Sequence, residues 1–272
     1  MSPESVDLRG SETTMLITLY LRDRDARSAH PVLGDRFAGE VLARVQHDPG
    51  ALRWFSSDTA TICSRARRLD EWTVAFLGEH PDGQVLHLGC GLDSRPLRVA
   101  RPAGSRWIDV DVPRVADLRR RVYDLPEDPG HMETVSASVT DPGWWERVDA
   151  DRPTLALAEG LFMYLTPSDV HDVLDRLLAR CTSGEVAFDA VAGWTLPVSN
   201  AAFGLLGVDT RFAWGFDGAE LTARHPRLRE RDDVTVSALA TADTVGLRHW
   251  LYRGFDAVPV LREAMRLHRY AF

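Results

Sequence analysis

The chain has 272 residues, 44% hydrophobic and 26% charged, with a net charge of −8, an ordinary globular composition. The acidic balance argues against nucleic acid as a partner, because phosphate contacts need a basic face. Every one of the 32 Lys+Arg positions is arginine, which excludes Schiff-base chemistry, a lysine-bound pyridoxal cofactor and a Walker-type phosphate loop.

Residues 1–12 are polar and read as a frayed start. Three helices follow: Thr13 to Arg27, about Asp35 to Val45 (ended by Asp48-Pro49-Gly50), and about Asp58 to Leu77. From residue 84 strands and helices alternate. Strands are expected at 85–88, 106–111, 131–137, 154–159 and 185–190. Helices are expected near 93–100, 114–123, 141–148 and 166–180, the last with Thr166 as N-cap and Pro167 in its first turn. Such repeats predict an α/β fold with a mostly parallel sheet and helices on both faces. The pattern breaks at 191, where Gly and aromatic residues mark an insertion, and 234–238 with 267–272 supply a last antiparallel pair. The expected organisation is a single domain, 1–272. It comprises a helical cap over 1–80, a core over 84–190, a cap insertion over 191–230 and C-terminal strands and helix over 231–272.

The three cysteines, Cys63, Cys90 and Cys181, show no CxxC or Cys/His spacing, so reduced thiols and no metal centre are expected. The start lacks a basic segment followed by an apolar run, and no stretch has the length of a membrane span. A soluble, cytoplasmic protein with neither membrane nor nucleic-acid partners is expected; the sequence leaves its oligomeric state open.

The chemistry centres on Val85-Leu86-His87-Leu88-Gly89-Cys90-Gly91-Leu92-Asp93-Ser94-Arg95. A strand runs into a tight turn and then a helix, which lets a ligand approach bare backbone. About twenty residues on, Asp111 ends the next strand, where a carboxylate is placed to accept two ribose hydroxyls. Ser94 stands where a dinucleotide fingerprint has its third glycine, so a pyrophosphate cofactor is disfavoured. A ribose-containing cofactor without phosphate fits best, and S-adenosyl-L-methionine is the common one. Asp109 shares the strand face of Asp111 and competes for its role. Cys90, between the glycines, reads as a small side chain that fits rather than a nucleophile.

Three motifs together resemble the leucine carboxyl methyltransferase family: Leu86 to Arg95, Trp107-Ile108-Asp109-Val110-Asp111-Val112-Pro113, and Ala158-Glu159-Gly160-Leu161-Phe162-Met163-Tyr164-Leu165. Thr14–Tyr20, Gly34–Ala38 and Arg211–Asp217 extend the likeness over nearly the whole chain. It is similar above all to the bacterial branch of tetracenomycin-type polyketide O-methyltransferases. The resemblance implies a class I methyltransferase fold and methyl transfer from S-adenosyl-L-methionine to oxygen. It places Gly89 and Gly91 beside the methionine moiety, Asp111 on the ribose, Glu159 close to the cofactor and Arg65 on its carboxylate, where a guanidinium fork is apt. Arg67 and Arg68 crowd Arg65, and a run of arginines also suits a solvated helix face. Where the family has Asp-Leu near the adenine, this chain has Ser138-Val139, which implies either a lower cofactor affinity or Asp141 as a substitute for the missing charge.

Tyr164, Trp194, Trp214 and Phe216 are candidate acceptor-pocket walls, against a plain reading as cap core, and Arg211 is the expected anchor for a carboxylate acceptor. His171 and His249 are candidate bases, and no catalytic residue is assigned. Three readings follow: O-methylation of a carboxyl or hydroxyl of a small specialised metabolite, carboxyl methylation of a peptide C-terminus, and a non-catalytic S-adenosyl-L-methionine-binding protein. A dehydrogenase ranks below all three because of Ser94.

Overall fold

The computed structural model describes residues 12–47, 59–125, 131–205 and 208–272. The polar start and the Asp48-Pro49-Gly50 break lie outside the described residues, apart from Glu12, which opens the first helix.

Seven strands form one sheet: β1 (Gln84–Leu88), β2 (Arg106–Asp111), β3 (Met132–Ser136), β4 (Thr154–Ala158), β5 (Gly184–Val191), β6 (Arg229–Thr235) and β7 (Met265–Ala271). Their order is β3-β2-β1-β4-β5-β7-β6. The first five pair in parallel, and β7 runs antiparallel between β5 and β6. Every residue of β1 and β4 is buried, which is why both read as near-continuous apolar runs rather than as alternation. β1 is flanked by β2 on one side and β4 on the other. The chain order reverses there, so the carboxyl ends of β1 and β4 open a crevice, the usual ligand site of such sheets.

Alternation along β1 assigns its side chains to two core layers. Leu86 and Leu88 face Ile108, Val110, Phe162, Phe188 and the apolar stripe of helix α6 (Pro167–Arg180), Val170, Val173, Leu174 and Leu177. Val85 faces the other way, onto Trp72, Phe76 and Leu77 of helix α3 (Thr59–Glu79). α3, expected in the cap, is thus also a layer helix on the sheet. Helices α1 (Glu12–Ala26) and α2 (Ala38–Arg44) form a third cluster, in which Leu19, Val41 and Leu42 meet Leu92 and Leu118. Leu118 belongs to α5 (Pro113–Val122). The helix expected near 93–100 is one turn, α4 (Arg95–Arg98), and that near 141–148 is a 3₁₀ turn over Gly143–Arg147. Thr166 caps α6 as read, accepting from the Asp169 N–H at 3.2 Å.

The C-terminal third departs most from the sequence reading. The insertion holds α7 (Leu196–Leu205) and α8 (Gly218–Arg224). The strand expected at 234–238 is β6, which starts five residues earlier and ends at Thr235, the N-cap of α9 (Val236–Asp243). Its first four residues, Arg-Glu-Arg-Asp, are exposed; a charged edge strand carries no apolar alternation and resists edge-to-edge pairing. Helices α10 (Leu247–Ala257) and α11 (Pro259–Arg262) lead into β7. No helix among the described residues is long and apolar enough to cross a membrane.

Gly184 opens β5 where a Cβ would sit 2.0 Å from the Thr154 carbonyl oxygen of β4. Gly184→Ala is expected to lower stability by about 2–4 kcal/mol, whereas Gly143→Ala, with nothing within 4 Å of the added carbon, stays within about 0.5 kcal/mol. Urea unfolding midpoints of the two variants check this.

Candidate active site

A cavity of about 880 Å³ opens at the carboxyl ends of β1, β2 and β4 under α1. All seven residues with an expected cofactor role line it: Gly89, Gly91, Asp111 and Glu159 from the motifs, Ser138 and Val139 after β3, and Arg65 from α3. β1 stops at Leu88 because Gly89 and Gly91 take left-handed backbone (φ 62° and 52°), which glycine adopts without steric cost. A Cβ on Gly89 would lie 2.8 Å from Leu161, and one on Gly91 3.2 Å from Met15. The turn is therefore as tight as side chains from β4's loop and α1 allow.

Asp111 ends β2 beside that turn. Its carboxylate accepts the Gly91 N–H at 2.7 Å and the Val112 N–H at 2.8 Å. Burial raises its pKa, and these two N–H groups oppose the rise. Its competitor Asp109 is spent elsewhere. It is fully buried, accepts from Trp107 Nε1 at 2.8 Å, lies 3.0 Å from His87 Nδ1 and is paired with Arg119 at 2.7 Å. It does not line the cavity. Strand alternation alone could not separate the two; depth along the strand does.

Beneath the turn lies a buried network of ion pairs. Glu159 receives Arg22 at 3.1 Å, Arg65 at 3.2 Å and Arg95 at 2.6 Å. Asp93 receives Arg22 at 2.9 Å, Arg95 at 2.8 Å, and Arg98. Asp189 of β5 binds Arg65 at 2.9 Å and accepts the Gly160 N–H at 2.5 Å. Asp70 of α3 holds Arg95 at 2.5 Å and Arg98 at 2.7 Å. Burial works to raise the Glu159 pKa, but Arg22, Arg95 and Arg65 outweigh it and hold the carboxyl at about 2. Burial raises that of Asp189 despite Arg65. The two cavity-lining guanidiniums, Arg22 and Arg65, each already face two carboxylates.

Arg22, Asp93 and Asp189 were not read from the sequence. A signal existed for two of them. Met15, Thr18 and Arg22 recur at helical spacing on the face of α1 that lines the cavity. Asp189 interrupts a strand that is otherwise apolar from Val186 to Val191, and a charge buried in such a strand needs a partner. Cys90 is buried, and burial pushes its thiol pKa well up, so it is inert packing. Asp141 accepts the Ser138 N–H at 3.0 Å, folding back on its own turn, and is not in the cavity wall. Ser138 Oγ lies 2.8 Å from Thr140 Oγ1.

At its other end the cavity is walled by Tyr164, Val191, Thr195, Ser199, Phe203, Phe212 and Met265, with Asp209. Phe212 stands edge-on to both Tyr164 (5.2 Å) and Phe203 (5.0 Å). Asn200 fixes it by clamping its backbone, Nδ2 donating to the carbonyl at 3.0 Å and Oδ1 accepting the N–H at 2.8 Å. Of the expected acceptor-side residues only Tyr164 lines this wall. Trp214 is buried in the sheet core against Phe162 and Phe188. Trp194 is half exposed and Arg211 exposed, both outside the wall. Phe216 stacks on His268. His171 bonds to His225 at 2.9 Å and His249 to the Thr241 carbonyl at 3.0 Å, and neither reaches the cavity.

The residues present fit S-adenosyl-L-methionine. The glycine turn leaves backbone bare, Asp111 offers carboxylate oxygens at the ribose position, and the lining arginines are paired rather than arranged to hold phosphate. A fold of this strand order, with that turn and that carboxylate, defines a class I S-adenosyl-L-methionine-dependent methyltransferase, and the chain is one. Two solved structures share the fold: a DUF574 family protein of Streptomyces avermitilis (TM-score 0.57, 16% identity, 94% of this chain and 96% of that one). The other is magnesium protoporphyrin IX methyltransferase of Synechocystis with bound S-adenosyl-L-homocysteine (TM-score 0.51, 10% identity, 93% and 98%). The model of the leucine carboxyl methyltransferase family matches residues 21–178, and the chain belongs to that family. It is 41% identical over 271 residues, 99% of each chain, to the tetracenomycin polyketide synthesis O-methyltransferase TcmP of Streptomyces glaucescens. It is 34% identical over 250 residues, 85% of this chain and 84% of the other, to the S-adenosyl-L-methionine-dependent methyltransferase dpfgK of Gibberella zeae.

The depressed pKa of Glu159 carries a pH signature. Its pairing stabilises the fold above its ordinary value of 4.5 and is lost as pH falls through about 2. Glu159→Gln is therefore expected to cost about 3 kcal/mol at pH 7, and the gap to the wild type should close between pH 4.5 and 2. Denaturant unfolding across that range measures it; a constant gap would contradict the assignment.

Proposed function

We propose that the chain transfers the methyl group of S-adenosyl-L-methionine to an oxygen, by preference a carboxylate oxygen, of a small polyketide-like metabolite. The observation that carries this reading is the continuity of one cavity from the Gly89–Gly91 turn and Asp111 to the aromatic wall of Tyr164, Phe203 and Phe212. The likeness to a polyketide O-methyltransferase over 99% of the chain supports it.

Gly89, Gly91, Ser138 and Val139 would offer backbone to the cofactor, Asp111 would take the ribose hydroxyls, and Arg65 and Glu159 would face the methionine end. Bound there, the cofactor supplies a methyl group on a positively charged sulfur, already activated as a leaving group. What remains for the protein is orientation and exclusion of water. Met15 and Leu161 close over the glycine turn, and the aromatic wall gives a flat acceptor an apolar face. His87 lines the cavity but is held between Asp109 and Asp93, so it is no free base. A carboxylate is ionised at neutral pH and needs none. Burial raises the Tyr164 pKa, which keeps its hydroxyl protonated and able to donate. Asp209 supports a second reading, a hydroxyl acceptor, because it is the one carboxylate among the described lining residues at the acceptor end.

Asp111→Ala is expected to weaken S-adenosyl-L-methionine binding at least about tenfold, a loss of roughly 1.4 kcal/mol. Unchanged calorimetric affinity would refute the ribose assignment. Asp209→Asn separates the two acceptors. With a carboxylate acceptor its kcat stays near that of the wild type, and with a hydroxyl acceptor it falls about 10²-fold or more. Product mass spectra, scored for one added methyl, identify which acceptor class is turned over.

A further inference from the structure

On the far edge of the sheet β6 and β7 build a second group of ligating side chains, away from the cavity. His268 of β7 is 2% exposed, and neither ring nitrogen has a hydrogen-bond partner. Its ring is stacked on Phe216 at 3.8 Å. A buried imidazole normally finds a partner for each nitrogen. Two carboxylates, Glu230 and Asp233, come close to it. One carboxylate oxygen of each and one nitrogen of His268 all lie within 4.8 Å of one another.

The strand register explains how these three come together. In a regular strand residues 230 and 233 point to opposite faces. β6 has a bulge between Glu230 and Asp232, so that Glu230 pairs with Tyr270, Asp232 with Arg269 and Asp233 with His268. Tyr270 and His268 are two apart and share a face. The extra residue therefore turns Glu230 and Asp233 to the same side as His268, the re-aiming that bulges produce. Asp232 goes to the other face, where its Oδ2 accepts from Trp72 Nε1 at 3.1 Å.

We propose that Glu230, Asp233 and His268 form a binding site for a divalent transition-metal ion of the Zn²⁺ type. One imidazole and two carboxylates suit such an ion, whereas Mg²⁺ and Ca²⁺ prefer all-oxygen sets. Ligand bonds of about 2.0–2.2 Å require the carboxylates to close in by about an ångström, which side chains on an exposed edge strand can do. Burial pushes the His268 pKa down to about 4, so the ring carries a free lone pair at neutral pH. Two groups already engage the carboxylates. The Tyr270 hydroxyl donates to Glu230 at 3.2 Å, and Arg266 pairs with Asp233 and Glu263. Arg266 thus holds the cation's place at Asp233 and competes with it. The ion would tie the edge strand to β7, whose first residue, Met265, lines the cavity.

Titration of the chelator-treated full chain with ZnCl₂ by calorimetry, paired with thermal unfolding, tests the site. The wild type should bind one Zn²⁺ per chain and melt higher with it. His268→Phe keeps the stack and volume but removes both nitrogens, and Glu230→Gln/Asp233→Asn changes only the edge strand. Both should bind at least about tenfold more weakly while retaining wild-type S-adenosyl-L-methionine affinity. Arg266→Gln should bind severalfold more tightly. No saturable binding by the wild type, or equal binding by His268→Phe, overturns the proposal.

Discussion

The structure hangs on buried guanidinium–carboxylate pairing beneath the glycine turn. Arg22 of α1, Arg65 of α3, Arg95 and Arg98 of α4 converge on Asp93, Glu159, Asp189 and Asp70, which come from the turn after β1, the turn after β4, β5 and α3. Removing any of these charges from water is expensive, and only near-complete pairing offsets it. Arginine suits the task because one planar fork reaches two carboxylates at once and stays charged. Each fork here reaches at least two carboxylates, and Arg95 three, so α1, α3, α4, β5 and the turns after β1 and β4 are held in one register by groups that cannot be left unpaired singly.

That constraint gives the cofactor end its rigidity. The turn after β1 needs positive φ at Gly89 and Gly91, and Asp111 holds it by accepting the Gly91 N–H. Below it Arg119 donates to the Gly91 and Asp93 carbonyls at 3.0 and 2.7 Å while pairing with Asp109. The backbone of the turn is thus fixed from both sides by the protein's own groups, an arrangement that binding and group transfer reward.

Much of this was legible in the sequence wherever the signal is local. The strand–turn–helix motif and the strand end that follows it brought Gly89, Gly91 and Asp111 to the cavity, and the mostly parallel sheet with its antiparallel last pair followed from the alternation. Three kinds of feature were not legible. Ion pairs between residues far apart in the chain, such as Arg22 with Glu159 or Arg65 with Asp189, leave no spacing to read. Aromatic residues in a Gly-rich stretch carry no direction, so the sequence puts Trp214, which sits in the sheet core, among the acceptor walls and leaves out Phe212, which lines the cavity. The edge strand β6 has no apolar alternation because its charged residues face water and the cluster around His268.

The two ends of the cavity are therefore built on different principles. The cofactor end rests on a network whose members are interdependent, so a change at one carboxylate takes a partner from one guanidinium at Asp189, two at Asp70 and three at Asp93 or Glu159. The acceptor end rests on apolar contact among Tyr164, Phe203 and Phe212 and one amide clamp from Asn200. Substitutions in α7 or in the 208–212 segment leave every member of the ion-pair network in place. Volume and polarity there can change at the modest cost typical of partly exposed positions. Under the proposed function, a fold so divided can keep one cofactor while its acceptor varies, with the residues that set the acceptor among Thr195, Ser199, Phe203, Asp209 and Phe212 rather than in the motifs that mark the family.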